Sequence, residues 1–324
     1  MFSFTLAVNQ LPVVKESPKA SFGRGANSTM FRLGPGGGGG GRGAFEMRQV
    51  SDVGTRHPAV ARLGVQTGEL TKWLDVEPPV RDAVNGLYIE TLMPTLLECH
   101  RIYDELREDG AAQVHRFTEA NDPRAPMPHI LRLRPRVENY LYNAKNYLRD
   151  LLQVFKILDG CELDQASHFA DLKEKGQSEL AKWATAKFGA TDSLTEMLAS
   201  EVVWTDETIK KRNAVEHPGG YSGSLEITNV EEKSDERGMF FHPTWNRTGE
   251  PASDLYLDMN TILHNLLSLA EDVLADAVLK HTPFGNLLIE DISADQRDPA
   301  CPIRLRVTAN LPPPPAPAEP RAGA

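Results

Sequence analysis

The sequence predicts a mainly α protein: an antiparallel helical bundle with a small β-hairpin insertion and short C-terminal strands. Three observations carry that expectation. Apolar residues recur at three- and four-residue steps in several long segments, the period of a helix with one buried face. After Pro218-Gly219-Gly220 the chain instead alternates in polarity, the period of a half-buried strand. A long segment with a very wide apolar face then closes the central region.

Residues 1 to 50 are expected to form a glycine-rich disordered tail. The run Gly36 to Gly41 loses more chain entropy on ordering than any other composition would. No Lys-Ser or Lys-Thr follows these glycines, so a phosphate-binding loop is not expected. Residues 51 to 80 read as a loop or linker, and the helical domain spans 81 to 310.

Within that domain, residues 81 to 109 are helical with an interruption at Pro94, which also suits a helix start. A loop carrying Pro123, Pro126, Pro128 and Pro135 leads to a helix at 137 to 160. Its stripe is Val137, Leu141, Ala144, Leu148, Leu152 and Phe155, and Gly160 stops it. A helix follows at 165 to 188, ending at Gly189, and another runs from an Asp192/Ser193 cap to His217. Pro218 ends that helix, because the residue before a proline is pushed out of helical geometry.

The insertion covers about 222 to 243. Ser224 to Val230 is one strand, with Met239-Phe240-Phe241 as its expected partner. The helix at 252 to 280 has a stripe of Ile262, Leu266, Leu269, Val273 and Ala277, broadened by Leu263, Leu267, Ala270 and Leu274. So wide a face requires several neighbours. Short strands near 287 to 292 and 303 to 307 finish the domain, and 311 to 324 is a proline-rich disordered tail.

Composition narrows the function. No apolar run approaches the roughly 18 residues of a membrane-spanning helix, and Met1 to Val14 lacks a basic residue ahead of its apolar stretch. A cytoplasmic protein with no membrane partner is therefore expected. Cys99, Cys161 and Cys301 are widely spaced and form no CxxC pair, which fits reduced thiols and no metal site. The net charge of −10 excludes a broad basic face for nucleic acid, so any RNA contact must be local, where a few arginines dominate. HExxH, a nucleophile elbow and a GxGxxG followed by an acidic residue are all absent. Zinc hydrolase, serine hydrolase and dinucleotide oxidoreductase chemistry have no support, and no cofactor is expected.

The segment Arg212-Asn213-Ala214-Val215-Glu216-His217 carries the candidate chemistry. At roughly 100° per residue, Asn213 and His217 share one face, as do Arg212 and Glu216. Measured from Ile209, all four fall within about 80° of the apolar stripe, so they are expected to continue the core-facing surface. Polar groups aimed inward must be paired or line a cleft. Arg, Asn and His suit metal-free RNA cleavage, in which a ribose 2′-OH attacks the adjacent phosphate. The imidazole moves protons, and the guanidinium meets charge building on phosphoryl oxygens. Asn213 would orient the imidazole or hold a phosphate oxygen. A purely structural alternative stands beside this: Arg212 and Glu216 as an exposed ion pair, and His217 as a helix-ending residue near the negative end of the dipole.

Arg212-Asn213-x3-His217 resembles the R-x4-6-H signature of the HEPN superfamily, in its common form with a polar residue directly after the arginine. The order of elements is also similar: bundle helices, the motif, a variable insertion and a long closing helix. Arg124…His129 and Arg237…His242 match the loose spacing too. However, the first contains Pro126 and Pro128 and the second lies in the insertion. The resemblance implies a helical bundle that forms a homodimer in which two motifs meet. It implies a metal-independent endoribonuclease of the toxin–antitoxin or antiphage kind, leaving 2′,3′-cyclic phosphate ends. By it, Arg212, Asn213 and His217 are catalytic, RNA is the substrate, and an antitoxin such as a nucleotidyltransferase is a partner. Glu216, Lys211, His242 and Arg247 are accessory candidates. A catalytically inactive HEPN-like interaction or dimerisation module is the alternative.

Overall fold

Tyrosine hydroxyls pin three long helices together in the computed structural model, which describes residues 30–35, 45–120, 122, 124–171, 176–233 and 239–309. These helices are α4 (Met93–Ala120), α5 (Leu133–Asp159) and α9 (Leu255–Lys280). Tyr140 donates to the Met259 carbonyl at 2.6 Å, and Tyr256 to the Leu106 carbonyl at 2.9 Å. Tyr88, just ahead of α4, donates to the Ala270 carbonyl at 2.7 Å. Each bond satisfies a buried phenol while fixing helix register. The pairings Leu106–Tyr256 and Tyr88–Ala270 run α4 antiparallel to α9. Arg136 on Asp109, with the Cys99 thiol near the Tyr140 carbonyl, runs α4 antiparallel to α5.

The apolar stripes are buried as their spacing predicts. Leu141, Ala144, Leu148 and Leu152 on α5, and Leu266, Ala270 and Val273 on α9, are all at most 1% exposed. Gly160 closes α5 in the left-handed conformation, at φ +69°, where its lack of a Cβ removes the steric penalty. Among the described residues, no helix is long and apolar enough to cross a membrane.

The region expected as a linker is helical. Its run comprises α1 (Pro58–Val60), a π-helical turn (Ala61–Gln66), α2 (Thr67–Leu70) and a 3₁₀ turn (Thr71–Trp73). His57 caps it and Pro58 starts it. Gly64, Thr67, Gly68 and Thr71 give this stretch poor helix propensity, which hides it from a local reading. Tertiary burial overrides that: Ala59, Val60, Leu63 and Leu70 are core residues. Arg62 is nearly buried and pairs with Glu271 on α9, donating through Nε at 2.6 Å, and Gln66 donates to the same carboxylate at 2.8 Å.

Other expectations are corrected similarly. The segment around Pro94 is not interrupted. After α3 (Pro78–Gly86), the turn Leu87–Leu92 takes π form and leads directly into α4, a wider turn that passes the missing proline N–H without a break. The helix expected at 165 to 188 is a 3₁₀ turn (Ala166–Phe169) and then α6 (Glu179–Phe188). Gly176 has φ +76°, and Ser178 caps α6 by accepting from the Ala181 N–H at 3.1 Å. The next helix divides at Glu201 into α7 (Ser193–Ser200) and α8 (Val202–Glu216).

Residues 30 to 51, expected as part of a disordered tail, contain an antiparallel hairpin. Its strands are β1 (Met30–Pro35) and β2 (Phe45–Ser51), with Leu33 opposite Met47. The segments flanking the glycine run satisfy each other's backbone groups in this ladder. The glycine run itself and the proline-rich end at 311 to 324 lie outside the described residues.

The insertion differs in pairing. β3 (Leu225–Thr228) does not pair with Met239–Phe241. After β4 (Glu231–Glu232) and β5 (Phe240–Phe241), which pair with each other, β6 (Thr244–Arg247) returns beside β3, and β7 (Ser253–Asp254) extends that sheet. Trp245 decides the register: it stands opposite Ile227, is fully buried, and donates its indole N–H to Asp258 at 2.7 Å. β8 (Leu287–Asp291) and β9 (Leu305–Ala309) form the expected C-terminal pair.

Candidate functional site: the C-terminal turn of α8 against α5

α8 ends at Glu216, and His217 leaves helical geometry at φ −130°, ψ 68°, directly before Pro218. Its N–H still bonds the Asn213 carbonyl at 2.8 Å. The final turn does not aim inward as extrapolation from Ile209 predicts. Its buried residues are Lys211 and Ala214, on the side opposite Ile209's, because β3 and β6 cover that side. Arg212 and Asn213 are half-buried, whereas Glu216 and His217 are exposed. The four polar residues thus form a rim rather than a continuation of the core.

α5 supplies the opposite wall of this rim. Arg212 lies over the Tyr142 ring at 4.8 Å and pairs with Glu216. Lys145 donates to Asn213 Oδ1 at 3.2 Å and stands 3.7 Å from Glu216 Oε2. His217 Nε2 is 3.5 Å from the same carboxylate oxygen. A guanidinium, an ammonium and an imidazole therefore gather around one carboxylate. Burial and the neighbouring Arg212 guanidinium push the Lys145 ammonium down to about 8. Burial also lowers Arg212, which as a guanidinium stays charged.

Arg212, Asn213, Glu216 and His217 are thus brought together as the sequence predicts. Their internal roles differ from expectation, however. Lys145 binds the Asn213 amide oxygen, which leaves both Nδ2 hydrogens of Asn213 to address a ligand. The imidazole is instead nearest Glu216.

The remaining accessory candidates are elsewhere. Lys211 points to the other side of α8, 2.9 Å from Glu207, 3.6 Å from Asp258 and over the Trp245 ring at 4.9 Å. Arg247 joins the same network through Glu207 at 2.9 Å. Both are neutralised, largely buried cations that hold the β insertion to the bundle. His242 lies in a separate cleft beside α4, with Nδ1 2.7 Å from Asp254.

Comparison with known proteins adds no kinship: no family model, curated protein or solved structure matches the chain. The site therefore rests on its own geometry. Among the described residues no group of three or more His, Cys, Asp or Glu could hold a metal ion. Sequence reasoning missed Lys145. Nothing local marks it, since it is an ordinary solvent-side position of α5 until α8 packs across it, 68 residues later in the chain.

Proposed function

We propose that the chain is a metal-independent endoribonuclease of HEPN type that forms a homodimer, and that the α8–α5 rim is its active site. The observation carrying this reading is the convergence of Lys145, Arg212 and His217 on the Glu216 carboxylate, with Asn213 joined to them through Lys145. In a chain of net charge −10, this leaves a local positive surplus suited to a phosphodiester. Arg212 would exchange Glu216 for the phosphate, whose oxygens fit its donor fork. Lys145 and the Asn213 Nδ2 would share the second non-bridging phosphoryl oxygen.

The reaction needs one proton removed and one supplied. The ribose 2′-O bonds to phosphorus, the P–O5′ bond breaks, and a 2′,3′-cyclic phosphate and a 5′-OH result. His217 moves one of these protons. A second copy of the chain, bringing its own motif to the same cleft, supplies the other proton-transfer group. A toxin or antiphage role, with an antitoxin such as a nucleotidyltransferase, follows from the same reading. So does a cytoplasmic location.

The test is cleavage of end-labelled RNA in EDTA. The expected result is cyclic-phosphate product, with His217→Ala reducing the rate about a hundredfold or more. No cleavage by the wild type, or equal cleavage by the variant, overturns the proposal. The pairing of Arg212 with Glu216 and its stacking on Tyr142 favour one second reading, a catalytically inactive interaction module. Dimerisation without cleavage would support it.

A further inference from the structure

A sizeable cleft lies away from the α8–α5 rim. It has a volume of about 770 Å³ and opens between α4, β5 with the following His242-Pro243, and the first turns of α9. That is the size range of small-molecule sites. Gly110 on α4 lets Tyr256 pack closely at one side of the cleft; a Cβ there would meet the Tyr256 hydroxyl at 2.4 Å.

Three features give the cleft a definite chemistry. The first is aromatic: Phe240, Phe241 and Tyr256 line it, Phe240 is braced edge-on by Phe117 at 5.2 Å, and Phe241 is left 53% exposed. The second is Arg107. Its guanidinium rests over the Tyr103 ring at 5.5 Å and donates to the Tyr103 hydroxyl at 3.3 Å, and among the described residues no carboxylate pairs with it. The third is His242, whose ring lies 5.3 Å from Tyr256 and whose Nδ1 is held by Asp254 Oδ2 at 2.7 Å. Asp254 Oδ1 caps α9 by accepting from the Leu257 N–H at 2.9 Å. Both oxygens of the carboxylate lining the cleft are therefore engaged, whereas Arg107 has a neutral hydroxyl as its hydrogen-bond partner.

We propose that this cleft binds a small aromatic anion. The ring is covered by Phe240, Phe241 and Tyr256, and the anionic group is held by Arg107. This site is independent of the ribonuclease reading, since it shares no residue with the α8–α5 rim.

Calorimetric titration of the full chain with 2-naphthoate and with the neutral 2-naphthylmethanol tests it. The expected result is one saturable site per chain, with naphthoate bound about tenfold more tightly than the alcohol, as a charge-assisted contact implies. Arg107→Leu should remove that preference without changing the alcohol's affinity. Phe241→Ser, on an exposed ring, should weaken both ligands while leaving the melting temperature unchanged. Absence of saturable naphthoate binding, equal affinity for the two compounds, or an unchanged preference in Arg107→Leu would each overturn the proposal.

Discussion

Lys145 on α5 donates a hydrogen bond to Asn213 on α8 at 3.2 Å, joining two helices at the point where the charged rim forms. Because burial and Arg212 hold the ammonium at about 8 instead of its usual value, Lys145 loses its charge within an accessible pH range. Phosphate affinity, and RNA cleavage if the proposal holds, should fall as pH rises through about 8. Lys145→Arg, which stays charged, should flatten that limb, and Lys145→Ala should show the low activity at every pH. For stability the sign is opposite. A lysine with a depressed folded value binds fewer protons folded than unfolded above about 8, so its contribution to stability rises with pH from there.

Glu271 is 1% exposed and meets Arg62 and Gln66 from the first helical run and Arg304 near β9. Replacing it with Gln leaves Arg62 buried beside an uncharged partner. Removing one member of a buried pair costs about 3–5 kcal/mol, so Glu271→Gln should lower the urea midpoint strongly. A variant as stable as wild type would show that the network does not tie these segments to α9.

His100 on α4 is half-buried with its ring 4.7 Å from that of His57, edge to face. Burial first, and His57 second, push the His100 value down to about 3, and burial lowers His57 as well. The His100 ring stays neutral in the folded protein down to about pH 3, whereas the unfolded chain takes up a proton there below about 6.5. Stability should therefore be lost as pH falls from about 6.5 towards 3. Between pH 7 and pH 5 the His100 share is about 2 kcal/mol. Urea unfolding at those two pH values should show a smaller loss in His100→Gln than in wild type.

Gly110 sits mid-helix, where alanine would ordinarily stabilise by about 1 kcal/mol. Here a Cβ would strike the Tyr256 hydroxyl that bonds Leu106. Gly110→Ala should therefore lower the melting temperature, since overpacking costs about 1–3 kcal/mol. Restoring space with the double change Gly110→Ala, Tyr256→Phe should recover part of the loss.

Much of the bundle is legible because helical periodicity is local. The stripe from Val137 to Phe155 and the face from Ile262 to Ala277 fix where α5 and α9 lie and which sides they bury. The motif helix is legible too, through Ile209 and the stop at Pro218. What misled the reading was any segment whose stability comes from distant partners. Residues 58 to 73 have weak propensity and are held by Glu271, more than 200 positions away. β3 chose β6 because Trp245 had to be buried, a demand that the alternation of Ser224 to Val230 does not express.

The sequence alone determined the helical class, the breaks at Gly160 and Pro218, and the grouping of Arg212, Asn213, Glu216 and His217 within two turns, since each depends only on bonds and spacing along the chain. Tertiary structure alone decided which side of α8 is covered, that Lys145 and not the His217 ring engages the Asn213 side chain, and that Lys211, Arg247 and His242 serve elsewhere. Those outcomes depend on which surfaces pack together. Packing is set by the sum of many contacts between remote residues, so no single stretch of sequence encodes it.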